Sequence, residues 1–428
     1  MSPSLLAVLL VYLATLAVAH GLTLANLRHL HRRGHVVPTP FAGYIDPEVL
    51  EKTRGYTVDR GRVDLAASLL SGVLTILVLF GGVLNWFNNL IAGLGFPPIG
   101  QALLFFLLMH LAATIVNLPF SLFSTFRVER KYGFNRQTAG LWWTDQVKSL
   151  AISLVLYGLL ILIVFSLIQA LPQSWWLVAW LAVLGLTILL LYISPYVIEP
   201  LFNTFKPVAD DELVGEIRQV LAKAGISISR VFAMDASKRS GHSNAYFSGI
   251  GRVKRIVLFD TLLAGHERRE IIAILAHEAG HWKKKHLLKM LFLMQTISLA
   301  GFYAAHRVMA GHGAATLFDL DRATPQAELL LLAFLGGLLL FPLRPLASAL
   351  SRYHERQADR FALALTGDGR PLAAALIKLG KDNLANLHPH PWYAAFYYSH
   401  PPLVQRVESL LKGEEQSPPG RQAEQGAE

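Results

Sequence analysis

A chain of 428 residues in which 53% are hydrophobic and only 16% charged, with a mean hydropathy of +0.41, is too apolar for an ordinary soluble enzyme, where charged residues make up nearer ~25%. The formal net charge of +10 invites a nucleic-acid reading, but the basic residues sit in loops beside apolar runs and form no aromatic-interleaved stripe, so the expected partner is a lipid bilayer and not nucleic acid. Cysteine is absent, which excludes disulfides, thiolate metal sites and a cysteine nucleophile; any metal must be held by His, Asp or Glu.

Seven stretches are apolar over the roughly 20 helical residues that a bilayer requires. They run from Leu5 to Leu27, Leu65 to Trp86, Ile99 to Phe123, Leu150 to Leu171, Trp175 to Val197, Leu287 to Ala305 and Leu329 to Leu350. The first resembles a signal peptide at Ala17-Val18-Ala19, but Met1 to Ser4 holds no Lys or Arg, and a retained span is expected. Arg28, Arg32, Arg33, Lys52, Arg54, Arg60 and Arg62 follow the first span, and Arg127, Arg130, Lys131, Arg136 and Lys148 follow the third. Positive charge of this kind marks both segments as cytoplasmic. The connections at Asn88 to Pro98 and Leu171 to Ser174 carry no Lys or Arg, and Met309 to Gln326 carries only Arg322, so these belong outside.

The chain then divides into a membrane region over 1–198 with five spans, a catalytic segment over 199–286, two further spans over 287–350, a second catalytic segment over 351–411, and a tail over 412–428 too poor in apolar residues to order. The two polar segments fall on the same cytoplasmic side and can build one site. Within the first, Arg230 to Ser237 and Arg252 to Phe259 read as strands and His266 to Lys285 as a helix.

That helix carries His277-Glu278-Ala279-Gly280-His281 behind an apolar lead-in, Ile271 to Ala276. Four-residue spacing puts both imidazoles on one helical face, where they can share a zinc ion. Glu278 is placed to act as general base on a metal-activated water, which attacks an amide carbonyl. A lone HExxH arises by chance in roughly a few per cent of chains this long. A second element, Glu355-Arg356-Gln357-Ala358-Asp359, follows the last span and changes those odds. Glu355 supplies a third, anionic ligand and leaves a fourth position open, the arrangement of a catalytic rather than a structural zinc. Asp359 shares its helical face and is placed to orient a zinc-bound imidazole.

Together with HEAGH and ERQAD, the segments Thr125 to Asn135, Ile198 to Asn203, Ser240 to Phe247, and Ser399-His400-Pro401-Pro402 with Arg406 occur in an order that resembles the type I CAAX prenyl proteases, the multi-span metalloendopeptidases that process prenylated proteins. The resemblance covers nearly the whole chain. It implies a mainly α fold in which seven tilted helices enclose a chamber, with a cytoplasmic zincin-like α+β catalytic domain, one zinc ion per chain, and a peptide or protein substrate that is prenylated. It further implies that Asn244 holds the substrate backbone while His400 and Arg406 steady the tetrahedral intermediate. Those roles suit the residue types, since Asn can pair with a strand added to a sheet edge and His and Arg can donate to an oxyanion. Taken alone, the three would read as a turn residue, a residue fixed before Pro401-Pro402 and a solvated helix charge.

His110, Lys289 and Arg344 fall within or at the ends of spans, where they either line the chamber or, for Lys289 and Arg344, snorkel to the interface. Lys283-Lys284-Lys285 anchors the sixth span, and His286, off the HExxH pattern, is left outside the site. The Ala-, Leu- and Gly-rich composition looks bacterial, which places the protein in a plasma membrane with its site facing the cytoplasm; a eukaryotic chain would sit in the endoplasmic reticulum. In a bacterium prenylated substrates are expected to be lacking, which makes membrane-protein quality control the second functional reading. A transporter carrying a structural zinc is the third, and would require a closed set of four ligands.

Overall fold

In the computed structural model, residues 1–248 and 254–415 are described. Among them seven helices are long and apolar enough to cross a membrane: Pro3–Arg33, Pro47–Phe80, Pro98–Glu129, Ala139–Ala170, Trp175–Phe202, His286–Met309 and Pro325–Thr366. Each overlaps one expected apolar run and most extend well past it, but the second ends at Phe80, short of the expected Trp86, and the fourth at Ala170. The last continues from the membrane directly into the ERQAD segment, so the boundary expected at residue 350 falls inside a helix.

Two connections differ from expectation. The second span stops at Gly81-Gly82, where Gly82 adopts φ +82, and a separate helix, Val83–Gly93, follows. Asn88, expected in an outside loop, lies on this helix and is fully buried. Its amide donates to the Arg322 carbonyl at 2.9 Å, while Asn85 and Asn89 both donate to Asp321 at 2.8 Å. The short helix thus ties down the connection between the sixth and seventh spans. The second difference is the tail: Lys412 to Glu415 continue the helix Leu403–Glu415, and the rest of the segment expected to be disordered lies outside the described residues.

At the opposite end of the spans sits a sheet of four strands, β1 (Phe205–Pro207), β2 (Ile228–Met234), β3 (Ala245–Ser248) and β4 (Lys254–Phe259). Their spatial order is β1-β2-β4-β3, with β2 and β4 parallel and the outer pairs antiparallel. β2 and β4 are the two expected strands with shifted ends; Arg252 and Val253 of the second lie outside the described residues. β1 and β3 are too short to show in a sequence pattern.

One apolar core joins chain segments far apart in sequence. Phe41 and Leu50 from the first connection pack with Ile256 and Leu258 of β4, Leu275 of the HExxH helix, Leu376, and Val407 near the carboxyl end. The expected helix is observed as Arg268–Lys283, opened by a capping box between Glu267 and Glu270. It crosses the helix Arg344–Thr366 where Gly280 faces Ala358. A Cβ on Gly280 would lie 2.9 Å from the Ala358 Cα and 3.1 Å from its carbonyl oxygen, so glycine permits backbones to approach where a methyl group cannot fit.

Gly280→Ala tests that crossing, because alanine is the better helix former by about 1 kcal/mol. We expect the clash to win and the thermal midpoint in detergent to fall, by the equivalent of about 1–3 kcal/mol. An unchanged or raised midpoint would show that the crossing has room to spare.

Candidate active site

The crossing sets two turns of the HExxH helix against two turns of the ERQAD helix. His277, His281 and Glu355 converge there, with their ligand atoms within 4.8 Å of one another. His277 Nε2 and His281 Nε2 lie 3.2 Å apart, His277 Nε2 is 3.4 Å from Glu355 Oε2, and His281 Nε2 is 3.2 Å from Glu355 Oε1. Ligands of a tetrahedral zinc ion with bonds of about 2.0–2.1 Å are themselves about 3.3 Å apart, so the set has the right size. Glu355 Oε2 is buried with no hydrogen-bond partner among the described residues. A cation between the three side chains would satisfy that oxygen and separate the two facing ring nitrogens.

Each imidazole is held from behind. His277 Nδ1 is 2.8 Å from Asp359 Oδ1, the carboxylate–histidine pairing that fixes a ligand's tautomer and ring plane. Asp359 in turn receives two hydrogen bonds from Arg406, from Nε at 2.9 Å and Nη2 at 2.6 Å. Burial alone lowers the His277 pKa, but Asp359 and Glu355 outweigh it and raise it to about 9.

Asp359 and Arg406 thus meet behind His277. Only 8% exposed, Arg406 commits its guanidinium to Asp359 and approaches Glu355 Oε2 at 3.5 Å. It lies behind His277 and Glu355, a position that favours bracing of these carboxylate and imidazole groups over donation to an oxyanion. His400 fits the donor role better. Its Nε2 lies 3.3 Å from Glu355 Oε1, its side chain is 62% exposed, and its Nδ1 is fixed by Ser399 Oγ at 2.9 Å.

Glu278 lines a cavity of about 800 Å³ together with His281, Tyr246, Phe247, Leu190 and Met290. Burial pushes its carboxyl pKa up from the usual carboxylate range, toward what a general base near neutral pH needs. Tyr246 and Phe247 in that lining belong to β3, an outer strand of the sheet. Asn244 immediately precedes β3 and is exposed; its Oδ1 already accepts from the Ala245 N–H at 2.8 Å, which leaves the Nδ2 group to offer a peptide. Asn244 is not among the residues that line this cavity.

Of the other residues singled out in the sequence, His110 pairs with Ser153 Oγ at 2.9 Å between spans and Arg344 stacks over Tyr397 at 4.6 Å, so both have partners away from the metal ligands. His286, left out of the expected site, lies inside it. Its Nδ1 is 3.0 Å from His281 Nδ1, its Nε2 is 2.9 Å from Gln357 Oε1, and His354 stacks on its ring at 4.1 Å. The missed signal is backbone geometry: Lys285 adopts φ 56, which breaks the helical register and turns His286 back toward His281.

Comparison with known proteins bears on the fold and the family of the chain. The family description "CAAX prenyl protease N-terminal, five membrane helices" matches residues 26–204, and that of peptidase family M48 matches residues 207–414. A CAAX prenyl protease 1 homolog of Arabidopsis thaliana is 32% identical, over 87% of this chain and 90% of that protein. CAAX prenyl protease 1 of Saccharomyces cerevisiae is 35% identical over 73% and 72%. A crystal structure of S. mikatae Ste24p superposes with a TM-score of 0.89 at 29% identity, covering 96% of this chain and 99% of the other.

The bracing role assigned to Arg406 and Asp359 is open to measurement. Arg406→Ala and Asp359→Ala should each weaken zinc binding by about 10–100-fold in chelator competition, the usual cost of losing an outer-shell partner. If Arg406→Ala keeps full zinc affinity and loses only turnover, the donor role returns to Arg406.

Proposed function

The chain belongs to peptidase family M48 through its CAAX prenyl protease branch, a membrane-embedded metallopeptidase, and on that footing we propose that it is a zinc endopeptidase that cleaves extended carboxyl-terminal tails of prenylated proteins. The observation that carries the reading is the convergence of two imidazoles and one carboxylate beside a glutamate that opens on the same cavity. One zinc ion per chain would be held by His277, His281 and Glu355. When bound, zinc supplies a Lewis acid that polarises the scissile carbonyl and acidifies water.

The chain's own residues divide the remaining work. The β3 edge takes the substrate as an added strand, with Asn244 at its start offering Nδ2 to the peptide backbone. The Glu278 carboxylate accepts a proton from the attacking water and returns it to the leaving amine. His400 Nε2–H donates to the oxygen that becomes negative as the carbonyl turns tetrahedral. Asp359 and Arg406 hold His277 and Glu355 in place throughout. The polar domain faces the cytoplasm, as the Lys and Arg bias of its flanking loops supports.

The two glutamates should fail differently. Glu278→Gln keeps the ligands and removes the base, so zinc content should stay near wild type while turnover drops by about 10²–10⁴. Glu355→Ala leaves two imidazoles, so zinc and turnover should be lost together. Elemental analysis beside cleavage of prenylated and unprenylated peptides measures both. Near-normal turnover in Glu278→Gln would remove its assigned role, and equal cleavage of both peptides would replace the prenyl reading with general membrane-protein quality control.

Orientation has a clean test because the chain has no cysteine. Glu48→Cys and Ser174→Cys place single thiols at exposed positions on opposite ends of the spans. An impermeant maleimide applied to intact cells should label Ser174→Cys alone. Labelling of Glu48→Cys instead would invert the protein.

A further inference from the structure

The assigned site leaves unexplained a buried cluster on the far side of His281. His286 is 3% exposed and His354 is 6% exposed, which is unusual for two histidines that ligate nothing. Gln357, in the middle of ERQAD, meets His286 with its side-chain oxygen. All three lie at the junction where the HExxH helix gives way to the sixth span.

The chemistry of the contacts dictates where the protons sit. His281 turns Nε2 to Glu355 and His277, so Nδ1 is its other ring nitrogen, 3.0 Å from His286 Nδ1. Two ring nitrogens at that distance need one proton between them. A ligand nitrogen gives its lone pair to the metal, which places the His281 proton on Nδ1 and makes His286 Nδ1 the acceptor. The proton of neutral His286 is then on Nε2, directed at Gln357 Oε1 at 2.9 Å, an oxygen that only accepts. Every link has one donor and one acceptor. Reversing any link would put the His281 proton on Nε2, where it blocks metal binding.

We infer that His286 and Gln357 are positioning residues for the metal ligand His281, forming a relay of hydrogen bonds that holds its Nε2 deprotonated and aimed at the ion. The inference rests on the reading of His281 as a ligand. It explains two features that otherwise lack a reason. Lys285, a non-glycine residue at φ 56, bears a backbone conformation that is costly for L residues, and that turn is what brings His286 onto His281. The stacking of His354 on His286, at 4.1 Å and 11° between planes, fixes the ring in the orientation the relay needs. His277 is braced by a carboxylate; His281, on the neighbouring turn, is braced by a neutral imidazole.

The test uses the purified full chain in detergent and reads zinc affinity by chelator competition, with the visible spectrum of the Co²⁺-substituted protein as a second readout. His286→Phe keeps the ring and its stacking but removes both nitrogens, and should weaken zinc by about 10–100-fold and shift the Co²⁺ bands. His286→Asn places an oxygen near the position of Nδ1 and should recover most of the affinity and the wild-type bands. Gln357→Leu, which removes only the far acceptor, should fall in the same direction as His286→Phe and decides the matter if His286→Phe does not fold. Wild-type affinity in His286→Phe or Gln357→Leu overturns the relay, as does equal weakening in His286→Phe and His286→Asn, since the ring and not the hydrogen bond would then be what matters. His281→Ala separates the layers: if zinc affinity survives it, the ligand assignment fails, whereas if affinity collapses there and stays intact in the other variants, only the relay fails.

Discussion

The contact between Gly280 and Ala358 is the constraint on which the site depends. Two helices ordinarily pack with axes 8–10 Å apart, set by the side chains between them. Here the HExxH helix presents a hydrogen atom and the ERQAD helix a methyl group, and the backbones close until a Cβ on Gly280 would touch the Ala358 Cα. That proximity lets the short side chain of Glu355 reach ring nitrogens on the facing helix, and lets Asp359, one turn on, reach the back of His277. Sequence spacing supplies the residues, but the distance between helices makes them a site.

The burial that closeness brings would be prohibitive for a single charge. Glu355 and Asp359 are both nearly inaccessible, and unpaired buried carboxylates cost several kcal/mol each. Arg406 spans the two, with paired hydrogen bonds to Asp359 and a contact with Glu355 Oε2. It comes from the helix Leu403–Glu415, which joins the shared core through Val407 and Leu410. The carboxyl-terminal segment is therefore tied to the metal ligands electrostatically as well as through packing.

The legible and illegible parts of the molecule divide along physical lines. The seven spans, the HExxH helix and the third ligand were readable because each is encoded locally, as an apolar run of sufficient length or as residues one turn apart. Asp359 was readable for the same reason, being one turn from Glu355. The direction of the Arg406 side chain is not legible, because it depends on how a separate helix docks, which no local pattern records. His286 was excluded by helical periodicity, a rule that holds only while the helix continues; the left-handed turn at Lys285 breaks it. Asn88 was placed in a loop because a short helix capping the spans has no longer-range pattern than its neighbours. The strands β1 and β3 escaped notice because three or four residues cannot display a period of two.

The different braces behind the two imidazoles make electrostatic sense of the site as a whole. A divalent ion at the three ligands, with Arg406, would meet the ionised carboxylates of Glu278, Glu355 and Asp359, so positive and negative charge balance in a largely buried space. A second carboxylate in place of His286 would add negative charge at the ligands themselves, where the nearest further cation is Lys289, outside the hydrogen-bonded cluster. A neutral imidazole leaves the total unchanged and still supplies the single acceptor that His281 Nδ1–H requires. On this view His277 carries the charged support because Arg406 is there to share it, and His281, which has no arginine behind it among the residues it bonds, carries the neutral one.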